Sequence, residues 1–289
     1  MGAPDSVFAA VTRCTIAACA VSVMAACAPM AATQQASALT RERLVEIVAS
    51  PDRSAPDRNN DMRRKPVEML AFVGPRPGMT VLDVSAGGGY TTELLARAVG
   101  SAGRVYGQSA PRDPGRAGPA APEGGAAAAP APEAAASRPA PRTSAMALAE
   151  RAQKPAASNI VAVTQKFEAP VPPELASNGL DLVTLMFSYH DFGHMGVDRS
   201  QMNAALFRAL KPGGIYVIAD HSGRPGTGIS ESGTLHRVEE AFVRREVEAA
   251  GFRLVAQGDF LRNPNDPRDR NTPEPPQPKD EFVLKFVKP

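Results

Sequence analysis

The chain has 289 residues, 43% of them hydrophobic and 5% aromatic, with no tryptophan. That length suits one large α/β domain with appendages, and a formal charge of +2 excludes the strong charge excess expected of a nucleic-acid or acidic-surface binder. The three cysteines, Cys14, Cys19 and Cys27, all precede Ala28, so the rest of the chain holds neither a disulfide framework nor a cysteine metal site.

Residues 1–33 read as a targeting segment. Arg13 is followed by the apolar run CTIAACAVSVMAA and then by Cys27, the pattern of an export signal. Met24-Ala25-Ala26-Cys27 resembles a bacterial lipobox, with methionine where leucine is usual. The resemblance implies that Cys27 is lipidated and attaches the protein to a membrane. The expected location is the periplasm, or the outer membrane as a lipoprotein.

Residues 34–78 form an expected N-terminal helical extension. An amphipathic helix spans 41–49 and a Pro/Asp/Asn-rich break follows it. A second helix runs from 65 or 66 to 72, offering Val67, Leu70 and Phe72, until Pro75, Pro77 and Gly78 stop it. The main domain then occupies 79–289. Its first strand is 80–84, a glycine turn follows, and Leu94, Leu95, Ala98 and Val99 give the next helix a buried stripe that Gly100 ends. A strand at 104–108 leads into residues 110–142, which contain no branched aliphatic and no aromatic residue. Such a segment buries too little apolar surface to offset the entropy of ordering it, so a disordered insertion without function is expected there.

Order resumes with a helix near 144–152 and a strand at 160–164. The near-continuous apolar run DLVTLMFS at 181–188 is the kind buried on both faces of a parallel sheet. A helix from Asp198 or Ser200 carries Met202, Leu206 and Leu210, and a fifth strand spans 215–219. One long amphipathic helix then carries Leu235, Val238, Phe242 and Val247. Strands at 252–256 and 282–286, joined by a proline-rich loop over 262–279, close the chain. Strands alternating with helices predict an open, mostly parallel α/β sheet.

The segment Val81-Leu82-Asp83-Val84-Ser85-Ala86-Gly87-Gly88-Gly89-Tyr90 resembles motif I of the class I S-adenosylmethionine (SAM)-dependent methyltransferases, and LKPGGIYVIAD resembles the turn into their fifth strand. Asp83, Gly87 and Gly89 match motif I, whereas Ser85 stands where the first glycine usually lies. The resemblance implies a Rossmann-like methyltransferase fold: a doubly wound, mostly parallel, seven-stranded sheet with SAM as cofactor. It assigns Asp83 to the SAM ammonium and the turn Ser85, Ala86, Gly87, Gly88 and Gly89 to the rest of the ligand. Where the family has an acid for the ribose this chain has Gln108 and Ser109, and residues 165–168 fall where adenine is contacted.

Ligands of open α/β sheets bind beyond the carboxyl ends of the strands. Ser188-Tyr189-His190-Asp191-Phe192-Gly193-His194 follows the fourth strand and Asp220-His221 ends the fifth. Histidine accepts a proton near neutral pH, so His190 is the expected base, with Asp191 or Asp220 orienting it, His221 as alternative base and Tyr189 beside them. His236, read as helical, is expected to be structural. His190 and His194 with Asp191, Asp220 or His221 also admit a metal reading, but the expectation is no metal. The Asn/Asp-Pro-Pro-aromatic motif of adenine methyltransferases is missing, so a small-molecule substrate and no nucleic acid are expected. A nicotinamide enzyme is disfavoured because Asp83 would repel a pyrophosphate and Thr92 stands where a further glycine is needed. The remaining alternative is a non-catalytic exported binding protein on a methyltransferase fold.

Overall fold

The computed structural model describes residues 1–2, 37–111 and 142–289. The expected export signal with Cys27, and the 110–142 insertion apart from its ends, lie outside the described residues.

The strands are β1 (Thr80–Val84), β2 (Arg104–Ser109), β3 (Ile160–Thr164), β4 (Leu180–Met186), β5 (Leu210–His221), β6 (Arg253–Gly258) and β7 (Glu281–Val287). They form one seven-stranded sheet in the order β3-β2-β1-β4-β5-β7-β6. The first five run parallel, and β7 is antiparallel to both β5 and β6. Strand order therefore reverses between β1 and β4. A crevice at the carboxyl ends of these two strands is where open α/β sheets take ligands.

Strand alternation divides the core into two layers. Val81, Val105, Leu182 and Val217 face a layer with Leu44 and Ile47 of α1 (Arg41–Ala49), Leu70 and Val73 of α3 (Pro66–Val73), Leu95 of α4 (Tyr90–Val99) and Leu148 of α5 (Ser144–Arg151). Leu82, Val183, Tyr216 and Phe282 face the other, with Met202 and Leu206 of α7 (Arg199–Ala209) and Val243 and Val247 of α8 (Glu240–Ala249). A single turn, α6 (Asp191–His194), follows β4. The sheet is covered on both faces, as the continuous apolar run in β4 requires.

Two expectations fail for identifiable reasons. The break after α1 is a helix, α2 (Ala55–Arg64), whose one buried residue is Asp57. It has no apolar stripe to reveal it. Instead Ser54 caps it by accepting from Asp57 N, and Asp57 and Arg63/Arg64 suit the charges of its first and last turns. Conversely, the long helix expected around Leu235–Val247 begins only at Glu240. Gly223, Pro225, Gly226, Gly228 and Gly233 make residues 222–239 poor helix material, and they form a looped strap closed by a Ser222–Val238 bridge. His236 lies in that strap with φ +50°. Among the described residues no helix is long and apolar enough to cross a membrane.

Candidate functional site

The turn after β1 lines the crevice. Ser85 takes φ +56°, the left-handed region that glycine adopts without strain. Its backbone N–H donates to Gln108 Oε1 at 3.0 Å, and Gln108 Nε2 donates to Gln165 O at 2.7 Å. Gln108 is fully buried. It clamps the carboxyl ends of β1, β2 and β3 together, which corrects its expected role as a ribose contact. Ser109 is half-buried at the end of β2, and Ala86 N donates to Gln108 O at 2.8 Å.

The three glycines serve two ends. A Cβ on Gly88 would meet nothing within 4 Å, and one on Gly87 would meet only Ser85 O at 3.9 Å. These two keep the crevice side of the turn open. Gly89, at φ +80°, faces protein instead: a Cβ there would lie 2.8 Å from both Leu148 Cδ2 and Arg151 Cδ. Gly89→Ala is expected to cost roughly 2–4 kcal/mol through backbone strain and overpacking, read from urea denaturation.

Asp83 is buried beneath the turn. Its Oδ2 accepts from Thr92 Oγ1 at 2.6 Å and its Oδ1 from Thr184 Oγ1 at 2.7 Å. Burial pushes its carboxyl up to about 6, against the lowering effect of the two hydroxyls and of Arg64. Each oxygen keeps further acceptor capacity, so a cationic group arriving above it would still find negative charge.

A charge network ties the helical extension to this turn, and sequence reading missed it. Arg151 Nε donates to Gly88 O at 2.6 Å, while its Nη1 and Nη2 hold Asp57 of α2 at 2.7 and 2.9 Å. Glu93, also buried, accepts from Arg151, Arg97 and Lys154. Tyr90 OH donates to Asp61 Oδ1 at 2.7 Å, and Asp61 takes both nitrogens of Arg53. Arg64, at the end of α2, stacks 3.7 Å from the ring centroid of Phe187. Burial lowers its pKa to about 9, which leaves it charged at neutral pH. Phe187 follows β4 with φ +59°, and its ring lies 5.6 Å from that of His221.

A histidine cluster stands at the carboxyl ends of β4 and β5. Asp220, fully buried, accepts from His190 Nδ1 at 2.6 Å, from His190 N at 2.8 Å and from His221 N at 2.7 Å. His190 Nε2 lies 3.1 Å from Asp191 Oδ1. Burial opposes a charge on His190, yet Asp220 and Asp191 outweigh it and raise the imidazole to about 10. Both carboxylates stay ionised although burial opposes this, because the His190 charge and hydrogen bonds stabilise them. The two carboxylates thus favour the protonated form, in which His190 donates, whereas the sequence expectation was a base. His221 lies within the cluster, 5.3 Å from the His190 ring, with Nδ1 3.0 Å from Glu281 Oε1. His194 turns Nδ1 to Ser232 Oγ at 3.0 Å.

His236 completes the group. Its Nδ1 lies 3.3 Å from Asp191 Oδ1, and its ring stands 5.6 Å from His190 and 5.8 Å from His194. Its helical assignment had hidden it. Tyr189 is the residue that the fold takes away: its hydroxyl donates to Glu246 Oε2 at 2.7 Å and accepts from Asn203, deep in the α7–α8 layer. A buried phenol seeks such partners, and Tyr189 is a core residue rather than a catalytic one.

No family model matches the sequence, and no curated protein matches it. Solved structures do match the fold. A SAM-dependent methyltransferase from Aquifex aeolicus superposes with a TM-score of 0.53, covering 87% of this chain and 100% of its own at 17% identity. The chain has the methyltransferase fold. A structure of the Haloferax volcanii Trm112 methyltransferase activator with a candidate methyltransferase matches at a TM-score of 0.51 and 15% identity, covering 87% of this chain and 99% of that one. The 4+2 cyclase SpnF matches at 0.51 and 14%, over 78% of this chain and 82% of its own. The methyltransferase fold therefore does not by itself fix the reaction, which has to be argued from the site.

Proposed function

We infer that the protein is a SAM-dependent methyltransferase acting on a small-molecule or envelope-exposed acceptor. One observation carries the reading. The carboxyl ends of the adjoining strands β1, β4 and β5 bring an open glycine turn above a buried carboxylate and a cluster of titratable side chains to one edge of the sheet. The open cradle at Gly87 and Gly88 fits close approach of a ligand, and Asp83 supplies the negative charge that an ammonium would seek. Backbone groups from Ser85 to Gly88 would hold the cofactor, with Ser109 near its ribose, while Gln108 is committed elsewhere. When bound, SAM supplies a methyl on a sulfonium that loses its charge as the carbon–sulfur bond breaks and the bond to the acceptor forms. The acceptor's proton must then leave. His190, held protonated, is suited to orient an acceptor oxygen as a hydrogen-bond donor, and the half-exposed His236 and Asp191 are left to receive that proton. A purely binding role would give these side chains no task.

The export signal and lipobox support a periplasmic or outer-membrane location with attachment through Cys27, hence an acceptor exposed in the envelope. The near-balanced charge supports no nucleic-acid partner. Isothermal titration of the protein with SAM is expected to reveal one saturable site. Folded protein that takes up no SAM overturns the reading.

A further inference from the structure

We propose that His190, Asp191 and His236 form a binding site for a divalent transition-metal ion of the zinc or ferrous class, at the acceptor end of the crevice. The three residues come from two different segments, the α6 turn after β4 and the strap over 222–239. One ligand atom from each lies within 4.8 Å of the others, and among the described residues no other histidine, cysteine, aspartate or glutamate group does this. Ligands held at about 2.0–2.1 Å around a tetrahedral ion stand about 3.3 Å from one another. Asp191 Oδ1 lies 3.1 Å from His190 Nε2 and 3.3 Å from His236 Nδ1, so two of the three edges already have that length.

Two further features serve orientation. Asp220 Oδ1 engages His190 Nδ1 at 2.6 Å and directs Nε2 toward Asp191. This is the carboxylate–histidine arrangement that fixes the tautomer and ring of a metal ligand. His236 takes φ +50°, a left-handed conformation uncommon for residues other than glycine. The adjacent Arg237 anchors the strap: fully buried, it pairs with Asp266 at 2.8 Å and donates to Ser222 O at 3.0 Å. Asp191 and His236 are both partly exposed, which leaves the cluster accessible to an ion from solvent.

Two imidazoles and one carboxylate suit zinc or ferrous iron better than magnesium, which prefers oxygen ligands. This departs from the sequence expectation of no metal, whose candidate ligands His190, His194, Asp191, Asp220 and His221 do not include His236. In the metal-free cluster His190 Nε2 donates to Asp191; an entering ion takes the place of that proton, and the direct proton roles of His190, Asp191 and His236 then pass to the ion. Metal binding stands on the cluster alone. Only the further role of the ion, holding and acidifying an acceptor hydroxyl, rests on the methyltransferase reading.

The test uses untagged full-length protein, stripped with a chelator and titrated with Co²⁺ and then Zn²⁺ in the absence of SAM. One equivalent of Co²⁺ is expected, with visible d–d bands and without the sulfur charge-transfer absorption that the cysteines would add, and Zn²⁺ should displace it. His236→Ala and Asp191→Asn, checked for native circular dichroism, should each weaken Zn²⁺ binding by about 100-fold or more, while His194→Ala leaves it unchanged. No stoichiometric binding, or equal affinity in the folded His236→Ala and Asp191→Asn proteins, overturns the proposal. Because SAM is absent from this titration, failure to bind SAM sinks the methyltransferase reading without touching the metal result.

Discussion

Asp83→Asn is expected to make the protein more stable at pH 7 by up to about 3 kcal/mol while weakening its affinity for SAM by at least about 100-fold. The carboxyl is raised from an ordinary 3.8 to about 6 by burial. Between those two values the folded chain keeps a proton that the unfolded chain has released. Stability contributed by this group is therefore complete below pH 3.8, falls as pH rises, and is lost above pH 6. Asparagine has no such dependence, and its amide can donate to one threonine hydroxyl and accept from the other. Urea denaturation from pH 4 to pH 8 should show wild type and variant nearly equal at pH 4, diverging up to pH 6 and parallel beyond. A gap that is widest at pH 4 contradicts the assignment. Unchanged SAM affinity in the variant would remove Asp83 from the cofactor site. A buried acid that lowers stability at neutral pH makes physical sense where a cation is to be held above it.

Arg237→Met is expected to cost about 3–5 kcal/mol. Arg237 and Asp266 are both fully buried as side chains, and the guanidinium also reaches the carbonyls of Ser222 and Arg270. Removing it leaves a charged carboxylate without its counter-ion. The double variant Arg237→Met/Asp266→Asn should recover a substantial part of the loss, and together with the Asp266→Asn single variant it gives the coupling energy of the pair. Hydrogen exchange should rise first across residues 222–239, because Arg237 joins that strap to the loop before β7. If the single variant unfolds at the wild-type urea concentration, the pair is not what holds the strap.

What was legible in the sequence was what repeats with a period. β1, β3 and α1 have the boundaries read from apolar spacing and caps, and the glycine turn stands where strand and helix meet. α2 was not legible, because a helix held by ion pairs to Arg151 and by its own caps has no apolar stripe. Within the candidate site, His190, Asp191, Asp220 and His221 were found from their places at strand ends, a rule of topology. The partners that decide their states were not. Thr184 lies 101 residues from Asp83 and His236 lies 45 from Asp191, so no local pattern joins them. Tyr189 shows the converse: adjacency in sequence to a site residue does not determine which side of the backbone a side chain takes.

Arg151 gives the crevice a kinetic character. One guanidinium grips both the carbonyl of Gly88 and the carboxylate of Asp57, so the helical extension and the glycine turn share a fastener beside the Tyr90–Asp61 hydrogen bond. α2 cannot swing outward without separating that carboxylate from its cation. The turn meets an incoming ligand already set in shape, and little ordering entropy is lost on binding. Any ligand seated beneath α2 would need that same separation of charges to enter and to leave, so the barrier is common to all of them. Differences in affinity among ligands of this crevice should therefore appear as residence times rather than as rates of arrival.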